Sequence, residues 1–246
     1  MRTVDILRAE LRKKASRKKA GRMSRFFKTG PGGYAEKDIF LGVSVPDIRE
    51  TARGAGDLTL REMETLLRSP AHEERFLALV LMINAYRAGA PEKKERIYRA
   101  YLENTGYVNN WDLVDLSAPA IAGQHLLKGP ITELFDLAGS SVMWERRIAA
   151  VSTLRFIRNG SCDRAIRVLD LLIEDEEDLL HKACGWMLRE IGKRDMEKEK
   201  KYLMNNRGRM SRTTLRYAIE RFPENERKAF LSGKAVRGAK SAGEKC

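Results

Sequence analysis

Cysteine, histidine and tryptophan are scarce in this 246-residue chain, at three of each. Cys162, Cys184 and Cys246 are odd in number and widely spaced, which fits neither a disulfide framework nor a zinc site. A reducing cytosol is expected, with Cys184 as a small core residue. His72, His125 and His181 lie far apart in sequence, so no metal site is expected from them. No nucleotide-binding glycine motif is present, so no cofactor is expected either. No segment approaches the run of about 20 apolar residues that a membrane span requires. The stretch from Arg2 to Arg22 is charged, with Asp5 and Glu10 among its bases, so it has neither the apolar core of a signal peptide nor the acid-free character of a transit peptide. A cytoplasmic protein follows as the expectation. Convincing strand alternation is also missing.

Positive charge and helical punctuation are abundant instead. Lys and Arg number 47 against 34 Asp and Glu, a formal charge of +13, while 43% of the residues are hydrophobic. Such a chain can bury a sizeable core and must carry basic surface, for which a polyanion is the natural partner. Thr59-Leu60-Arg61-Glu62 reads as a capping box ahead of Met63, Leu66 and Leu67. Ser69-Pro70 is read as the cap and opening of the next helix, whose Phe76, Leu77, Val80 and Leu81 run to a stop at Gly89. Pro91 starts another helix, which ends near Gly106. Pro130, Ser141, Asn159-Gly160, Asp175 and Ser211 punctuate the remainder, giving roughly a dozen helices joined by short connections.

One irregular stretch breaks the pattern. Thr29 to Asp38 contains Thr-Gly-Pro-Gly-Gly-Tyr, in which glycine and proline rule out a helix. It reads as an ordinary connecting loop, or as an anion-contacting loop fed by Arg22, Arg25 and Lys28. The rest reads as a single domain over 1–232, followed by a basic tail, 233–246, expected to be disordered.

Each tryptophan has a charged residue one helical turn later: Trp111 with Asp115, Trp144 with Arg147, and Trp186 with Arg189. The intervals from 111 to 144 and from 144 to 186 are 33 and 42 residues, which fits a helical-repeat array better than one compact bundle. In a solenoid of helix pairs, equivalent tryptophans would converge on one concave face, together with Lys182, Arg189 and Lys193, and in part with Arg147, Arg155 and Arg158. Three core anchors with solvated arginines are the plain alternative. Asp115 differs in kind. Its neighbours Leu113, Val114, Leu116, Ala118 and Ile121 are apolar, so a carboxylate buried there needs either an arginine partner or a chemical task.

The strings Asn110-Trp111-Asp112-Leu113-Val114-Asp115, Trp144-Glu145-Arg146-Arg147-Ile148-Ala149 and His181-Lys182-Ala183-Cys184-Gly185-Trp186-Met187-Leu188-Arg189-Glu190, with Ile39-Phe40-Leu41-Gly42-Val43 before them, resemble the HEAT-like alkylpurine DNA glycosylases of the AlkD type. They run in the family's order over about residues 20–222, and Trp-x-x-x-Asp is the most specific of them. The resemblance implies an all-α, HEAT-like helical-repeat solenoid with a concave basic face. It also implies excision of positively charged N3- and N7-alkylated purines from double-stranded DNA, by a monomer. By the same resemblance Asp115 is the catalytic carboxylate, Trp111 and Trp186 lie against the lesion's sugar and backbone, and Arg147 contacts a phosphate. Phe26 stands where family members carry an N-terminal aromatic, and Asn110 where many carry a second aromatic. Lys182 and Arg189 complete the expected DNA-binding set. Two other readings use the same features: a non-catalytic DNA-binding solenoid, and a HEAT-type scaffold for a helix or acidic peptide.

Overall fold

The computed structural model describes residues 3–36 and 38–233. Among these the protein is all-α, the one strand-like feature being an isolated parallel bridge between Ile39 and Ala71. The helices are α1 (Thr3–Lys13), α2 (Arg17–Phe26), α3 (Val45–Arg53), α4 (Leu60–Leu67), α5 (His72–Ala88), α6 (Pro91–Glu103), α7 (Trp111–Ser117), α8 (Ala122–His125), α9 (Thr132–Ala138), α10 (Met143–Arg158), α11 (Cys162–Leu172), α12 (Asp178–Gly192), α13 (Met196–Asn206), α14 (Arg212–Ala218) and α15 (Glu224–Ser232). Short 3-10 turns lie at Thr105–Tyr107 and Ile219–Arg221. The chain divides into two compact units, one up to Leu171 and one from Leu172 onward. No helix among the described residues is long and apolar enough to cross a membrane.

In the first unit α5 and α10 are the central helices. The run Phe76–Ile83 is apolar on every side of its helix, so it must be enclosed, and α3, α4, α6 and α7 pack around α5. α10 is buried from Arg147 to Leu154 and is covered by α7, α8 and α9. Its polar Ser152 and Thr153 are tolerated because each hydroxyl donates to a backbone carbonyl, of Ala118 (3.4 Å) and Ala150 (2.6 Å) respectively. α8 lies so close to α10 that a Cβ on Gly123 would collide with the Ser152 carbonyl. The capping box at Thr59 forms, and Met63, Leu66 and Leu67 behind it are buried, each stabilising the fold by roughly 1.5–3 kcal/mol. In the second unit α12 packs on α13 and α14, with Gly185 facing the Thr214 carbonyl.

Several expected boundaries shift. Helix α5 opens at His72 rather than at Ser69-Pro70, because the Ser69 hydroxyl is used by the Ala71 N–H in a preceding turn. Asp175 likewise bonds the Glu177 N–H, and α12 begins only at Asp178. Helices at Pro91, Ser211 and the Asn159-Gly160 stop fall where expected. Cys184 is a core residue, and so is Cys162. The expected tail lies, beyond Gly233, outside the described residues.

The tryptophans do not occupy equivalent helical positions. Trp111 is the first residue of α7, Trp144 the second of α10, and Trp186 stands mid-way along α12.

Candidate active site

The site grows from the first turn of α7. Asn110, fully buried, caps the helix: its Oδ1 accepts from the Trp111 N–H (2.8 Å) and its Nδ2 donates to Asp38 Oδ2 (3.0 Å). Asp112 Oδ1 accepts from the Leu113 N–H (2.9 Å). One carboxylate and one amide, the amide itself anchored by Asp38, therefore hold the orphan end of a short helix that propensity alone would not sustain.

Trp111 is half-buried and belongs to an aromatic cluster. Its ring stacks on Phe27 at 5.2 Å and meets Phe26 edge-on at 5.9 Å. Its indole N–H donates to the Tyr34 hydroxyl at 3.1 Å. Tyr34 in turn touches Trp144 edge-on at 6.0 Å. Phe26 is 66% exposed, whereas Trp144 is buried. The glycine-rich connection is thus more than a spacer, since it delivers Tyr34 and Asp38 to the helix that carries Trp111. A Cβ on Gly33 would strike the Lys28 carbonyl, which explains one of its glycines.

Asp115 follows Trp111 by one turn, but its partner comes from α10. Arg147 Nη2 lies 2.9 and 3.0 Å from the two oxygens of Asp115, and Arg147 Nε lies 3.2 Å from Oδ1. The arginine is nearly fully buried, while the Asp115 side chain remains 23% exposed. Burial pushes the Asp115 carboxyl above its ordinary value, against the downward pull of Arg147. The result is a carboxylate fixed in orientation, partly open to solvent, and one helical turn from Trp111. Such a group can meet a developing positive charge or accept a proton from water.

Sequence spacing paired Trp144 with Arg147 and Trp186 with Arg189, and packing assigns these charges differently. Arg147 serves Asp115. In the second unit Arg189 pairs with Glu220, Lys182 Nζ lies 2.7 Å from Asp178, and Lys193 pairs with Glu190. The half-buried Trp186 donates its indole N–H to Glu190 Oε1 at 3.2 Å. These three ion pairs are at least partly exposed, so each contributes little to stability. Within the first unit Trp111, Asp115, Arg147 and Phe26 lie on or beside α7; Lys182, Trp186 and Arg189 share α12.

Sequence reasoning missed His72, Asp38 and Tyr34. His72 is buried, with Nδ1 3.2 Å from Asp38 Oδ2 and Nε2 2.8 Å from Asp112 Oδ2. Arg75 Nη2 lies 2.6 Å from Asp38 Oδ1. A histidine and an aspartate with no mutual spacing rule carry no signal in one dimension; only Asn110 and Asp112, within the string from Asn110 to Asp115, were visible. Among the described residues no group of three or more His, Cys, Asp or Glu is placed to hold a metal ion.

Comparison with known proteins bears on the fold and the family. A solved structure named "Predicted DNA alkylation repair enzyme from Enterococcus faecalis" superposes with a TM-score of 0.65 at 18% identity, covering 86% of this chain and 98% of that one. At that identity the likeness establishes the fold. No curated protein matches the chain. The model of the family described as DNA alkylation repair enzyme matches residues 7–222. With the match extending over most of its length, the chain belongs to the DNA alkylation repair enzyme family.

Proposed function

We propose that the protein is a monofunctional DNA glycosylase that removes positively charged N3- and N7-alkylated purines from duplex DNA. The observation that carries this reading is Asp115, held by a buried arginine and left open beside Trp111. A glycosidase ordinarily uses two carboxylates, one of them to protonate the leaving group. A cationic alkylpurine needs no such acid: the C1′–N bond breaks with its electron pair going to the base, which departs neutral. Positive charge then develops on the sugar, where Asp115 faces it. Water adds to C1′ and loses its proton to the carboxylate or to solvent, which completes the hydrolysis.

The magnitudes suffice. A charge pair at about 4 Å in an effective dielectric near 20 is worth roughly 4 kcal/mol, about a thousandfold in rate when it acts only in the transition state. The ring of Trp111 adds roughly 0.5–2 kcal/mol towards a developing cation. Arg147 has Nε and Nη2 on Asp115, so in this reading it first orients the carboxylate, and a phosphate contact is its second task. Trp186, Lys182 and Arg189 are proposed to meet the DNA backbone, with phosphates replacing their present carboxylate partners. Phe26, exposed beside Trp111, is proposed to lie against the lesion. The working form is a monomer, located with the DNA it repairs.

Chromatography of free 7-methylguanine and 3-methyladenine after incubation with methylated duplex DNA tests the proposal. Wild type releases both, and Asp115→Asn loses about a thousandfold while binding DNA nearly as well. The wild-type rate also falls as pH drops through the raised Asp115 value, since only the ionised form faces the cation. Equal release by the mutant removes Asp115 from the chemistry. Salt-sensitive DNA binding with no release by either protein leaves the second reading, a DNA-binding member of the family without catalysis.

A further inference from the structure

We propose that His72 is a positioning residue for this reaction: as an imidazolium held between Asp38 and Asp112, it sets the first turn of α7 and with it Trp111 and Asp115. The inference rests on the glycosylase reading, and its test separates the two.

Donor arithmetic makes the first argument. Both ring nitrogens of His72 face carboxylate oxygens, Asp38 Oδ2 at 3.2 Å and Asp112 Oδ2 at 2.8 Å. An ionised carboxylate only accepts, so both nitrogens must carry protons, and only the imidazolium does. A neutral ring of either tautomer would set a nitrogen lone pair against a carboxylate. Charge makes the second argument. The cluster holds two carboxylates and one guanidinium, Arg75, with side-chain exposures of 2% for His72 and Asp38, 4% for Arg75 and 17% for Asp112. An imidazolium neutralises it; a neutral imidazole leaves surplus negative charge in a buried place.

Two routes connect this cluster to the reacting groups. Asp112 and Asn110 flank Trp111 in sequence and hold the N-terminal turn of α7, which Asp115 follows on the same helix. The second route is a ring stack: His72 on Phe40 at 4.6 Å, Phe40 on Phe27 at 5.0 Å, and Phe27 on Trp111 at 5.2 Å, all within 28° of parallel. The charged groups facing His72 are Asp38 from the connection after α2, Asp112 from α7 and Arg75 from its own helix. Hydrogen bonds to the two carboxylates raise the His72 pKa above the ordinary 6.5, although burial and Arg75 oppose them. Loss of the proton at high pH therefore loosens the turn, and the uncompensated charge of Asp112 disfavours ionised Asp115.

The experiment compares single-turnover base release by wild type and His72→Gln on one substrate from about pH 5 to about pH 10, a span that contains histidine titration. It is paired with NMR of ring-labelled histidine. Expected are a wild-type alkaline loss centred above 6.5, a ring protonated on both nitrogens below it, and a mutant whose rate is lower by about ten- to a hundredfold with no such alkaline loss and little change in DNA affinity. The same alkaline limb in both proteins, an equal loss at every pH, or a neutral ring under the same conditions overturns the proposal. Should His72→Gln fail to fold, Asp112→Asn carries the comparison, and the alkaline loss must move to lower pH. Should wild type release no base at all, the glycosylase reading fails. The clamp is then read from Trp111 emission in a Trp144→Phe, Trp186→Phe background, where a transition matching the His72 titration supports it and a flat profile overturns it.

Discussion

At the scale of single residues, this protein places charge where it must be answered locally. Asp115 is answered by Arg147, His72 by two aspartates, and Glu73 by the N–H groups of Leu41, Gly42 and Val43 at 2.7–3.2 Å. Glu199 is the contrasting case. It is buried on α13, and its Oε1 has no hydrogen-bond partner. Burial pushes its pKa up to about 8, although Arg189 and Lys200 pull it down. Folding then binds a proton that the unfolded chain gives up near its ordinary 4.5, so this residue costs stability progressively as pH rises from 4.5 to about 8. Glu199→Gln should match the wild-type melting temperature below about pH 4, where both side chains are neutral, and exceed it increasingly up to the plateau above about pH 8. Calorimetry across that range checks the sign, and a constant offset at all pH values would contradict it.

Elements are placed by how closely their backbones approach. Gly123 of α8 admits α10 to within collision distance of any added Cβ, with Arg155 Cβ at 2.9 Å from that position. Because α10 also carries Arg147, Gly123→Ala is expected to destabilise the fold by about 1–3 kcal/mol and to lower base release further than its stability loss explains. Denaturant melts set beside single-turnover rates separate these effects. Gly42 is constrained twice, by φ of +80° and by the Ser16 carbonyl where a Cβ would stand. Neither glycine is conspicuous in sequence, since the need arises from a neighbour more than 20 residues away in each case. Helix ends set by local bonds, such as the Thr59 capping box, were legible in advance. Ends set by what a hydroxyl or carboxylate also touches, as at Ser69 and Asp175, moved by two or three residues.

For the whole molecule the formal charge of +13 is the dominant quantity. Helix α2 has bases at Arg17, Lys18, Lys19, Arg22 and Arg25 and no acid, all five bases exposed, and it ends at Phe26 beside Trp111. On the proposed function this helix helps to neutralise phosphates. Lys18→Glu with Arg22→Glu should then weaken binding to undamaged and methylated duplex alike, and reduce the slope of log affinity against log salt by about 0.9 for each phosphate no longer neutralised. Release from the bound complex should stay near the wild-type rate. An unchanged salt slope would remove α2 from the DNA surface.

The sequence by itself determined the helical class, several helix limits, the net basic charge and the Trp-x-x-x-Asp element, because capping, propensity and composition act over a few residues. It also marked Asp115 as a carboxylate in need of a partner. Which partner was decided only by packing: Arg147 lies 32 residues away, and Tyr34 reaches Trp111 across 77. The spacing of one helical turn pointed instead to Trp144 and Arg147 as a pair, and the fold gave that arginine to Asp115. His72, Asp38 and Asp112 stayed invisible as a unit for the same reason. A buried charge selects whatever opposite charge the assembled helices bring within about 3 Å, and that choice exists only once the chain has folded.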